Sequence, residues 1–127
     1  MPTETDLTGL GMAPSLAAEL GNQPNVVTCT GTSSQAGAAT IYTKNSELSA
    51  ADSSHNGAIL PAAAKVGSPF FLFTSSSTSA IVYPPVNHYL NGGTSNSLTV
   101  AQNKGAICFK YKQTAAGVGY WFSILTS

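Results

Sequence analysis

In Ala106-Ile107-Cys108-Phe109-Lys110-Tyr111-Lys112 the side chains alternate, with Ile107, Phe109 and Tyr111 on one side and Cys108, Lys110 and Lys112 on the other. Successive residues of an extended strand point to opposite faces, so this stretch predicts a β-strand with one wet side, the lysine-bearing one. The same reading extends outward. Short apolar runs broken by turn formers predict further strands at 26–30, 39–43, 57–60, 70–74, 80–83, 97–101 and 120–125. Between them lie Ser33-Ser34-Gln35-Ala36-Gly37, Ser53-Ser54-His55-Asn56, Ser75-Ser76-Ser77, Asn91-Gly92-Gly93 and Ala115-Ala116-Gly117, each rich in residues that favour turns. About eight short strands with regular punctuation describe an all-β domain, a compact sandwich or barrel of jelly-roll-like type.

Two of the strands do not alternate. Phe70-Phe71-Leu72-Phe73 and Tyr120-Trp121-Phe122-Ser123-Ile124-Leu125 carry apolar side chains on both faces, more than one small domain easily covers. Phe70, Leu72, Tyr83, Trp121 and Leu125 are therefore expected at a subunit interface. The alternative cover is the loops or the N-terminal segment of the same chain.

Residues 1–24 read differently from the β domain of residues 25–127. Ala13-Pro14-Ser15-Leu16-Ala17-Ala18-Glu19-Leu20 suits a short helix, with Pro14 in its first turn and Gly21-Asn22 with Pro24 as a stop. A helix of about two turns is not stable alone in water, so this arm needs a surface to lie on. Leu7, Leu10, Met12, Leu16 and Leu20 are its apolar contacts.

Composition narrows the function. The 127 residues fit one domain. Charged residues are 8% of the chain, the formal net charge is zero and arginine is absent. The sequence thus has no electrostatic footprint for a phosphate backbone, and nucleic acid is not expected as a partner. A neutral surface kept soluble by hydroxyls and amides suits burial against protein, because no unpaired charge has to be desolvated.

Chemistry is sparse. Three of the five carboxylates, Glu4, Asp6 and Glu19, lie in the arm, leaving Glu47 and Asp52 for paired acid and base work. His55 and His88 have no cysteine or carboxylate at metal-ligand spacing, and Cys29 and Cys108 are far apart, so free thiols and no metal site are expected. Asn91-Gly92-Gly93 leads into a strand rather than a helix and is a turn, not a phosphate loop. No catalysis and no cofactor are expected. The start of the sequence has no basic stretch followed by an apolar run, and no apolar segment is long enough to span a bilayer, so no membrane partner is expected.

A family resemblance enters with the order of several pieces. Ile59-Leu60-Pro61-Ala62-Ala63-Ala64-Lys65-Val66-Gly67 is followed by Ala80-Ile81-Val82-Tyr83-Pro84-Pro85, Tyr89-Leu90-Asn91-Gly92-Gly93, Ser97-Leu98-Thr99-Val100-Ala101 and the closing 120–125 strand. This succession resembles small structural proteins of tailed-bacteriophage virions: capsid decoration (cement) proteins, head fibres and tail-fibre modules. Thr8-Gly9-Leu10-Gly11-Met12 and Leu16-Ala17-Ala18-Glu19-Leu20-Gly21 also resemble the start of several virion proteins. The resemblance implies a β-rich module, often trimeric, on the capsid surface of a virion assembled in the host cytoplasm. Its partner is then the major capsid protein, met by Leu7, Leu10, Met12, Leu16 and Leu20. The rival implication is a tail-fibre or host-recognition module, with Tyr83, Tyr89 and Trp121 stacking on cell-surface glycan.

Overall fold

The computed structural model describes residues 25–31, 35–94 and 96–126. The arm, with its expected helix and its contacts Leu7, Leu10, Met12, Leu16 and Leu20, lies outside these residues. The described chain is all-β. Its strands are β1 (Asn25–Thr28), β2 (Ala39–Thr40), β3 (Asn45–Ser49), β4 (Gly57–Ile59), β5 (Pro69–Thr74), β6 (Ala80–Tyr83), β7 (Tyr89–Leu90), β8 (Leu98–Val100), β9 (Lys104–Gln113) and β10 (Gly119–Leu125), with a single 3-10 turn at Gln35–Gly37.

They form two sheets, ordered β1-β3-β5-β9-β10-β7 and β2-β4-β6-β8. From β1 to β9 each strand falls in the other sheet from its predecessor, so the chain winds back and forth between them. Winding in one sense makes neighbours parallel: β1 with β3, β3 with β5, β2 with β4 and β4 with β6. The winding then reverses. β9 runs antiparallel to β5 and to β10, β8 runs antiparallel to β6, and β7 closes the larger sheet parallel to β10. A jelly roll is built from antiparallel pairs, and this mixed pairing departs from that expectation.

All eight expected strands are present. β3 and β7 are additional, and both were hidden by polarity or brevity. β3 reads Asn-Ser-Glu-Leu-Ser and buries only Ser46 and Leu48. Ser46 is held inside by hydrogen bonds of its hydroxyl with the Thr43 hydroxyl and carbonyl, both at 3.0 Å. β6 stops at Tyr83 because Pro84-Pro85 offers no backbone donors. Asn91 and Gly92 take positive φ of 50° and 93°, the pair of left-handed residues that a tight two-residue turn requires.

One hydrophobic core joins the sheets. Leu48, Phe70, Leu72, Cys108 and Trp121 come from the larger sheet, and Ala58, Val82, Leu98 and Val100 from the smaller. The alternation of β9 is real, but its sense is the reverse of that expected. Ala106, Cys108 and Lys110 point to the core, whereas Ile107, Phe109 and Tyr111 point outward. Lys110 is fully buried because its ammonium has partners there: the carbonyl oxygens of Ala62 and Ala64 accept at 2.8 and 2.7 Å, and Gln113 Oε1 accepts at 2.9 Å.

Candidate interaction face

The inversion of β9 decides what the larger sheet shows to its surroundings. Strand register fixes four rows on its outer face. Val26 stands beside Glu47, Glu47 beside Phe73, and Phe73 beside Gly105. The second row runs Asn45, Phe71, Ile107 and Ile124, and the third Pro69, Phe109 and Phe122. In the fourth, Tyr89 and Tyr120 stack with centroids 4.6 Å apart and planes 2° from parallel, and Tyr111 tilts against Tyr120 at 6.3 Å.

The rings also lock across rows. Phe122 contacts Phe109 of its own row at 6.2 Å and, across rows, Tyr111 at 6.5 Å between centroids, the latter edge to face, geometries favoured by the ring quadrupoles. Phe71, Phe73, Tyr111, Phe122 and Ile124 are each between 38% and 56% exposed. No charged residue interrupts the middle of this strip. Charge appears at its margins. Glu47 accepts a hydrogen bond from the Ser75 hydroxyl at 2.9 Å, and the Lys112 ammonium lies 5.2 Å over the Tyr120 ring.

Gly105 leaves a gap in the first row. There Phe71, Phe73, Ile107, Ile124 and Leu125 line an apolar cleft of about 320 Å³. A second hollow of about 500 Å³ adjoins it, lined by Phe73, Thr74, Ser75, Asn103, Lys104, Gly105 and Thr126.

The residues expected at a subunit interface divide. Phe70, Leu72, Tyr83 and Trp121 are buried within the chain itself and have no surface to offer another subunit. Leu125 alone of the five is half exposed, at the end of β10. The physical reason is parity. In β5 and β10 the residues expected outside face inward, and their neighbours Phe71, Phe73, Phe122 and Ile124 take the outer face. Tyr83 and Trp121 are equally withdrawn from the glycan platform, leaving Tyr89 with its unforeseen neighbours Tyr120 and Tyr111.

The titratable groups are placed as follows. Asp52 and His55 pair across an exposed turn, Oδ1 to Nδ1 2.9 Å, and this bond with the Ser54 amide holds the Asp52 carboxyl below its ordinary range. Glu47 bonds Ser75 instead. His88 is buried, and its Nδ1 accepts the Gly119 amide at 3.2 Å. Burial, aided by the nearby Lys110 charge, pushes its pKa below the usual histidine value, and burial lowers that of Lys110 as well. Cys29 and Cys108 are free and buried, which raises their thiols to about 11 and about 12. Among the described residues no three His, Cys, Asp or Glu side chains gather as metal ligands, and no helix is long and apolar enough to cross a membrane.

Comparison with protein-family models, curated proteins and solved structures yields no match.

Proposed function

We propose that this chain is a non-enzymatic structural protein that decorates and stabilises a preassembled protein shell, in the manner of the phage capsid-decoration proteins its sequence resembles. The observation that carries the reading is the outer face of the larger sheet, four rows of mostly apolar side chains with charge only at the margins. Such a surface does its work by being buried. Its chemistry is shape and hydrophobicity, with burial worth about 25 cal/mol per Å² of apolar surface.

In this reading Leu7, Leu10, Met12, Leu16 and Leu20 make the contact with the major capsid protein. Burying one such side chain contributes about 1.5–3 kcal/mol, and a ligand that binds only the assembled shell shifts the equilibrium toward assembly. The test is co-sedimentation of the purified chain with phage heads stripped of their decoration. The expected result is saturable binding that raises the temperature at which the heads break, and that Leu16→Ser with Leu20→Ser abolishes. Absence of binding to any head would reject the reading.

The cluster of Tyr89, Tyr111 and Tyr120 favours one alternative, a tail-fibre or host-recognition module that stacks on cell-surface glycan. Signal on a glycan array that Tyr89→Ala removes would select it.

A further inference from the structure

We propose that the outer face of the larger sheet is a self-association surface covered by a second copy of this chain. The proposal rests on the reading of the chain as a structural module, and it names the occupant of the face.

Area is the first argument. At roughly 200 Å² per aromatic side chain, the exposed fractions of Phe71, Phe73, Tyr111 and Phe122, with Ile124, leave on the order of 500 Å² of contiguous apolar surface. That is near the upper end of what monomers display. With its polar margin it approaches the ~800 Å² that each partner contributes to a stable association.

Charge is the second. A surface without charge in its centre does not repel its own copy, and it presents nothing for an acidic or basic partner to select. The margins are complementary as well: Glu47 stands on the β3 side and Lys112 on the β9 side. Copies related by a rotation axis then set the carboxylate margin of one against the ammonium margin of the next. Opposite charges at the rim fix register rather than supply most of the affinity.

Form is the third. The rows repeat every second residue, ~6.8 Å apart, and sheets stack face to face at ~10 Å when such rows interdigitate. The cleft at Gly105 is a hole in the first row that receives a protruding ring.

The experiment is a mass measurement of the full chain by light scattering over a range of concentrations. The expected result is a dimer or trimer for the wild type. The Phe122→Ser, Ile124→Ser double variant is expected at monomer mass with an unchanged far-ultraviolet circular dichroism spectrum, because both side chains stand outside the core. Tyr111→Glu is the second variant, expected to give the same shift should the first not fold. Tyr42→Ser, 78% exposed but outside the strip, is expected to keep the multimer.

A wild type that is monomeric at every concentration overturns the proposal, as happens if residues 1–24 cover the face of their own chain. Folded variants that keep the multimer overturn it equally. Head binding by a monomeric wild type would overturn this inference and leave the decoration reading standing, whereas a multimer that binds no head would do the reverse.

Discussion

The ammonium of Lys110 lies 5.6 Å from the centre of the Trp121 ring, inside the core, and donates to two carbonyl oxygens and an amide oxygen. The carbonyls of Ala62 and Ala64 belong to the connection between β4 and β5, so one side chain ties that loop to β9 and β10. A buried ammonium without a carboxylate partner is costly unless every proton is used, and here three acceptors and a ring face use it.

Truncating this residue is expected to be more damaging than shortening an aliphatic side chain of equal burial. Lys110→Ala leaves the two carbonyls and the Gln113 amide oxygen without their donor and opens a cavity, a loss of about 3 kcal/mol or more. Lys110→Met keeps most of the volume and is expected to lose about 2 kcal/mol, from the stranded acceptors alone. Urea midpoints of both variants check the order. A Met variant as stable as wild type contradicts it.

Acid is expected to weaken the fold through His88. Its folded pKa is lowered, first by burial and then by Lys110, so between that value and about 6.5 the unfolded chain binds more protons than the folded one. Stability is thus fully present above about pH 6.5 and falls as pH drops through the folded pKa. Protonation also removes the acceptor of the Gly119 amide. Melting temperatures between pH 4 and 8 should show the slope, and His88→Asn should flatten it.

Gly119 allows this cluster to close. A Cβ at that position would stand 2.7 Å from His88 Nδ1 and 2.9 Å from Lys110 Cε. Both side chains are anchored, so Gly119→Ala is expected to destabilise by about 1–3 kcal/mol through overpacking, measured by chemical denaturation.

The thiols give a check on the core independent of any partner. With pKa values raised to about 11 and about 12, Cys29 and Cys108 are expected to resist a thiol-reactive disulfide reagent in the native protein and to react together in guanidinium. The same shifts make stability fully present below about pH 9 and progressively lost as pH rises toward the folded values. Rapid labelling of Cys108 in native protein would show that β9 is not packed as described.

The strands were legible where apolar runs stand between turn formers, as at 70–74, 80–83 and 120–125. β3 was not, because Asn45 to Ser49 offers one apolar residue and its inward serine, bonded to Thr43, reads as a turn or loop residue. β7 is two residues long, and its existence depends on β10 lying beside it. The outer face was missed for a sharper reason. Phe70 to Phe73 and Tyr120 to Leu125 are apolar at both parities, so periodicity could not choose a face. In β9 the choice went to the usual rule that lysine faces water. A lysine whose ammonium is taken up by two carbonyl oxygens of a distant loop and by Gln113 of its own strand breaks that rule, and no local pattern announces the two carbonyls.

The back-and-forth path of the chain also governs when this protein becomes itself. Because consecutive strands lie in different sheets, hydrogen-bonded neighbours in its first part are separated by an intervening strand, and β5 waits for β9 while β7 waits for β10. Non-local pairing of this kind slows folding. The core therefore condenses only once β9 and β10 are available, Trp121 included, and a fragment that stops short of them leaves the larger sheet without the strands that join β5 to β7.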